Sequence, residues 1–386
     1  MTDVFVARPQ INRTGAPRLP GLDVTRAIAL IGVVVMNYHG YLNGGSGGRH
    51  RSYAEHVFDT SEGPLSTRFA ATFVLVAGMG ITLMTNRSRA FGDRSAISED
   101  RWRLIRRGLL LYSFGLLIEW IWHGTILFFY GAFFIVGALL FTLALRWLAV
   151  IAVSAALAGA AIAWFAVGQR LDGHDTRWLD PPVTSPRNLL LRTFVGYTHP
   201  LLPWLVFLCA GIALGRFLPL ATAERMHLRT RILAIGLAMF AGTYAINFVG
   251  LRWATDSFKD RGRTALQWRA VLSTAPFDRG MLYTIGTLGS SLIAFCLISW
   301  VADQFSTSQA TRLLQHAGQM TLTLYVCHVL VFNAMVHWWG LVDATGLDTA
   351  LVFALVFWVF AIAFGAMWHR LLGTGPLERL YRKFGG

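Results

Sequence analysis

Long apolar runs, separated by short polar and basic stretches, dominate the 386 positions of this chain. Ten runs stand out, at about 24–43, 66–86, 104–123, 125–145, 147–168, 200–218, 229–250, 281–302, 317–338 and 348–371. Each has close to the ~20 residues a helix needs to cross a hydrocarbon core of ~30 Å. A soluble fold would instead spread its apolar residues along amphipathic faces. The pattern predicts an all-α, polytopic membrane helix bundle of about ten transmembrane helices. One membrane domain is expected over 21–375, between a basic, proline-containing tail at 1–20 and a short tail at 376–386.

Composition agrees: 55% of residues are hydrophobic and 14% charged, against about a quarter charged in an average soluble domain. A soluble enzyme, a disordered regulator and a disulfide scaffold are excluded. The net charge of +14 would suit nucleic acid, but the basic residues sit mostly between apolar runs, where membrane topology explains them. No nucleic-acid partner is expected; the lipid bilayer is. With the N-terminus placed in the cytoplasm, 21 Lys/Arg fall on the inner side and 13 on the outer. The segment 86–107 alone carries seven arginines, and the turn near 124 and the loop 339–347 carry none. An N-in/C-in, multi-pass protein of a bacterial plasma (inner) membrane is expected. Cys209, Cys296 and Cys327 all lie inside apolar runs without paired spacing, and read as packing residues.

The polar chemistry divides in two. Long outer loops at 44–65, 169–199 and 251–280 hold His50, His56, His174 and His199, and structureless loops of that length are uncommon unless they act. Asn37, Tyr38 and His39 close the first run, ahead of a glycine-rich stretch at 44–48. Histidine is the usual base near neutral pH. At the inner side, Arg101, Arg103, Arg106 and Arg107 form the densest charge in the chain. Arg103 and Arg106 share a helix face, so two guanidinium forks can converge on one phosphate, or anchor to anionic lipid. Glu119 and His123 read as an interfacial pair four residues apart, Asp23 and Arg26 as an ion pair at the head of the first helix, and His328 as a bundle-facing histidine bonded to a neighbouring helix. Gly211 and Gly215 suit close helix packing. No Walker motif, dinucleotide fingerprint or metal-ligand spacing is present in the sequence.

Several segments share an order with a known family. Gly21-Leu22-Asp23-Val24-Thr25-Arg26-Ala27 resembles the Leu-Asp-x-x-Arg-Gly opening of the transmembrane acyltransferase superfamily, with alanine in place of the glycine. Phe73 to Gly78 is similar to its second span, as are His199-Pro200-Leu201-Leu202-Pro203-Trp204, running on to Gly211 and Gly215-Arg216, and Gly318 to Tyr325 with His328, in later positions. The chain resembles most the heparan-α-glucosaminide N-acetyltransferase-like branch, over most of its length.

The resemblance implies a membrane acyltransferase that moves an acetyl or short acyl group from cytosolic acetyl-CoA to a sugar or glycolipid acceptor outside. Arg103, Arg106 and Arg107 would hold the phosphates of the donor. Asn37 matches an asparagine that ends the first span of this branch, and His56 best matches its catalytic histidine. His39 and His50 remain alternatives, because a sister branch carries a histidine where Asn37 stands. The competing expectation is a transporter or flippase for an anionic lipid or glycolipid, against which the lack of an internal repeat counts. Small-residue faces allow a homodimer.

Overall fold

A computed structural model describes residues 20–42, 52–179, 181–183, 185–218, 222–257, 263–343 and 345–386. The basic tail up to residue 19, the glycine-rich stretch and His50 lie outside the described residues. The described chain is helical, with no strand among the described residues. Its helices are α1 (Pro20–Leu42), α2 (Tyr53–Val57), α3 (Arg68–Phe91), α4 (Arg94–Glu119), α5 (Leu127–Leu140), α6 (Leu145–Leu171), α7 (Pro186–Phe194) and α8 (Leu201–Gly215). There follow α9 (Thr222–Ser257), α10 (Arg263–Val271), α11 (Met281–Gln304), α12 (Gln309–Gln319), α13 (Thr321–Phe332), α14 (Leu347–Leu372) and α15 (Pro376–Gly385).

Among the described residues, seven helices are long and apolar enough to cross a membrane: α1, α3, α6, α9, α11, α13 with the π-helical turn Asn333–Trp338 that extends it, and α14. Helices α5 and α8 are apolar but shorter, and α4 has the length but carries charge through its first half. These ten elements occupy the ten apolar runs, so the bundle expected from the sequence is the one observed. The short helices α2, α7 and α10 fill the long loops at one end, termed here the histidine end. Helices α12 and α15 and the arginine-rich start of α4 mark the opposite, arginine end.

Helix α1 is central, packing against α3, α11, α12, α13 and α14. Around it lies an aromatic core that includes Tyr38, Trp122, Phe128, Phe133, Trp204, Phe207 and Phe332, none more than 1% exposed. Helices α3 and α8 approach where Gly78 and Gly211 face each other. A methyl group on either would collide with the other helix's backbone, which is the small-residue contact expected at Gly211.

The apolar run 317–338 is not one straight helix. It breaks at Met320, between α12 and α13. The backbone N–H groups of Leu322 and Thr323, orphaned at the new helix start, donate to Glu378 Oε1 at 2.7 and 3.1 Å, and Thr323 Oγ1 donates to Oε2 at 2.6 Å. The chain end at 376–385 is thus a helix, α15, pinned under α13 and lying along α4.

Candidate functional site

His56 stands on α2, a five-residue helix too short to persist unaided. A capping box holds it: Glu55 N–H donates to Ser52 Oγ at 3.2 Å, and Ser52 N–H donates to Glu55 Oε2 at 2.7 Å. Beyond α2, Asp59 Oδ1 accepts from the N–H groups of Ser61 and Glu62, both at 2.8 Å, which turns the chain into α3. This local chemistry leaves the His56 ring exposed on a cavity of about 540 Å³. The cavity is lined also by Glu62, Arg68, Tyr244, Asn247, Arg269 and Asp278. Its size is that of a small-ligand site, which usually falls within about 300–1,000 Å³.

Asn37 turns elsewhere. Its Nδ2 donates to His328 Nε2 at 3.2 Å, 291 positions away. The His328 Nδ1–H donates to the Tyr325 carbonyl, so Nε2 carries the lone pair that Asn37 meets. The Tyr38 hydroxyl donates to the His328 carbonyl at 3.1 Å. The His328 ring, wholly buried, is enclosed by Tyr38, Trp122, Tyr325 and Phe357. The expected bundle-facing histidine is therefore found, and its partner is Asn37. An amide has two N–H donors, so Asn37 keeps one beyond that bond to His328. His39, two residues on, is wholly buried. Gly40, next in α1, packs on Thr60 (a Cβ there would stand 3.0 Å from Thr60 Cγ2). The last turns of α1 thus adjoin the segment that leads out of α2.

Glu119 does not pair with His123. Helix α4 ends at Glu119, so the four-residue spacing no longer places both on one face, and His123 is exposed. Glu119 is buried and accepts from Arg192 Nη2 of α7 at 2.5 Å, from the Tyr197 hydroxyl and from Gly124 N–H at 3.3 Å. The Arg192 guanidinium also lies 3.3 Å from the Tyr197 ring centroid. This ion pair escaped the sequence reading because its partners are 73 positions apart. Its one signal was an arginine in a long loop. Nearby, His199 packs edge-on to Trp204. Burial first, and the Arg279 charge second, push its pKa down to about 3, so it is neutral at ordinary pH.

At the arginine end, Arg103 pairs with Asp100 at 2.8 Å, and Ser88 Oγ donates to the same carboxylate at 2.6 Å. Arg107 lies over the Tyr381 ring at 5.3 Å and donates to the Gly386 backbone oxygen at 2.9 Å. Arg106 is exposed, its Nη2 against Gly386. The structure brings the three arginines together beside Gly386, whose backbone oxygen Arg107 alone is seen to bond. The donor set, hard cationic N–H groups with one carboxylate among them, fits phosphate. No group of three or more metal-ligating side chains occurs among the described residues.

Two family profiles match the chain. The profile described as heparan-alpha-glucosaminide N-acetyltransferase, catalytic, matches residues 18–248, which include α1 to α8 and most of α9. One described as a protein of unknown function (DUF418) matches residues 220–385. No curated protein matches the chain. The first match covers more than half of the 386 residues and takes in both His56 and the arginine cluster, and the chain accordingly belongs to the heparan-α-glucosaminide N-acetyltransferase catalytic family, a class of membrane acetyltransferases.

Proposed function

We propose that this protein takes an acetyl group from acetyl-CoA at the arginine end and delivers it to a sugar or glycolipid acceptor in the cavity at the histidine end. The observation that carries the reading is the pairing, at opposite ends of one bundle, of a three-arginine cluster with a polar cavity lined by an exposed histidine. The excess of basic residues supports a cytoplasmic arginine end. Arg103, Arg106 and Arg107 hold the donor's phosphates there, and the acyl arm runs along α1 toward Asn37.

In the reaction, His56 takes the proton of the acceptor hydroxyl or amine as that group attacks the thioester carbonyl. The second Asn37 N–H donates to the carbonyl oxygen as it gains charge. His328 positions Asn37 by accepting its other N–H. The C–S bond then breaks, the sulfur leaves with the electron pair, and the proton held by His56 passes to it. The products are the acetylated acceptor and CoA thiol. His56 is favoured as base over the buried His39 because only an exposed ring can meet an acceptor.

The test is acetyl-CoA binding and transfer by purified protein. Arg103→Gln with Arg106→Gln weakens saturable acetyl-CoA binding by about tenfold, each lost charged contact contributing roughly half to all of such a factor. His56→Ala leaves binding intact and lowers transfer by about 10²–10⁴-fold. Donor binding that ignores both arginines, or full transfer without His56, would overturn the reading.

A further inference from the structure

Arg68, the first residue of α3, is tied to the bundle by neutral groups alone. Its Nε donates to the Pro64 carbonyl at 3.1 Å, Nη1 to Ser290 Oγ at 2.9 Å and Nη2 to the Tyr244 hydroxyl at 3.1 Å. Its guanidinium carbon also lies 5.6 Å from the Phe240 ring centroid. Among the described residues, no carboxylate stands within ion-pair distance of it, although Glu62 and Asp278 line the same cavity.

The partners of this charge come from two other helices: Ser290 lies nine residues along α11 from its start at Met281, and Tyr244 lies within α9. A cation held by neutral groups alone within an apolar helix bundle is expensive and is retained where it acts on something. A guanidinium has five N–H donors, and the three bonds above leave two, one on each Nη. Arg68 lines the cavity that His56 also lines.

Access completes the picture. One wall of the cavity is α9, which exposes the large apolar side chains Ile246, Phe248 and Val249 by 53–63%. A polar, cationic cavity beside an exposed apolar helix surface suits a ligand whose charge sits at the junction of a polar head and a lipid chain.

We propose that the cavity receives a phosphate-bearing glycolipid, with Arg68 holding its phosphate and the sugar facing His56. The sugar half of this assignment rests on the acceptor-site reading given above; the phosphate half does not. Arg68 then selects the acceptor: neutral sugars lack the group it holds.

The experiment measures binding to detergent-purified protein of three probes: octyl glucosaminyl phosphate diester, the neutral octyl glucosaminide, and octyl methyl phosphate without a sugar. Wild type is expected to prefer the glucosaminyl phosphate over the neutral glucosaminide by about tenfold or more, as befits a charge-assisted bond. Arg68→Gln abolishes that preference while neutral binding persists, which also certifies the fold, and Arg68→Lys retains part of it. Equal affinity for charged and neutral sugars in wild type, or a preference that survives Arg68→Gln, overturns the proposal. Octyl methyl phosphate binding as tightly as the glucosaminyl phosphate overturns the acceptor assignment in favour of an ordinary phospholipid site. Acetyl-CoA turnover is read separately on the same samples. An Arg68-dependent preference without any transfer supports the phosphate site and counts against the acyltransferase reading alone.

Discussion

The two ends of the bundle handle charge in opposite ways. At the histidine end, Glu119 and Arg192 are both buried, with side chains 7% and 8% exposed, and Arg68 is held by neutral groups, with no carboxylate at ion-pair distance among the described residues. At the arginine end, the Arg103 side chain keeps 37% of its surface, and Arg106 is exposed. Backbone strain follows the same division. Among the described residues, three non-glycine residues have positive φ, Thr67 (59°), Tyr197 (65°) and Arg279 (53°), and all lie at the histidine end. Tyr197 bonds Glu119, Thr67 precedes Arg68, and Arg279 faces His199. Left-handed backbone at a β-branched or aromatic residue needs surrounding structure to hold it. The histidine end is therefore the more rigidly fixed of the two, and the arginine end the more solvated.

This contrast can be broken by mutation. The largest expected effect is at Glu119. Glu119→Gln removes the carboxylate that buried Arg192 meets at 2.5 Å and should cost about 3–5 kcal/mol, read as a lowered unfolding midpoint of the purified protein. A shift no larger than that of an exposed charge change would show that the pair is solvated.

Glu378→Ala comes next. It removes the acceptor for two backbone N–H groups and the Thr323 hydroxyl, at about 1–3 kcal/mol for the buried groups left unsatisfied. Faster hydrogen exchange in α15 and at the start of α13 is the expected outcome. Unchanged exchange in both would mean that α15 is held by its apolar face instead.

Arg103→Gln sharpens the comparison from the other side. Its partly exposed pair with Asp100 contributes within about 1 kcal/mol, so the unfolding midpoint should barely move while donor affinity falls. A stability loss like that of Glu119→Gln would erase the distinction between the ends.

The smallest effect is a pH slope. The folded pKa of His199 lies near 3, below its unfolded value, because burial and Arg279 disfavour the imidazolium. Its contribution is fully present above the unfolded pKa of about 6.5 and is lost as pH falls from there toward 3. His199→Phe should flatten the decline in thermal midpoint between pH 7 and 4.5. An identical decline in the variant would assign the acid sensitivity to other groups.

The sequence by itself determined the number of helices crossing the bundle, their order and the separation of arginines from histidines. The physical reason is that a hydrocarbon layer tolerates little besides long apolar helices, so hydropathy along the chain is nearly a map of the fold. It also carried the motifs around Asp23, Asn37 and Gly78 that pointed to the acyltransferase family. Contacts between distant segments were decided by the tertiary structure alone. Asn37 meets His328 across 291 positions, Glu119 meets Arg192 rather than the nearer His123, and Glu378 caps α13 from the chain's far end. None of these leaves a periodic signal, because each depends on which helix face turns toward which neighbour. Arg68 shows the limit most plainly: in the sequence it is one basic residue at the head of an apolar run, and only its contacts with Ser290 of α11 and Tyr244 of α9 make it a cation lining a cavity.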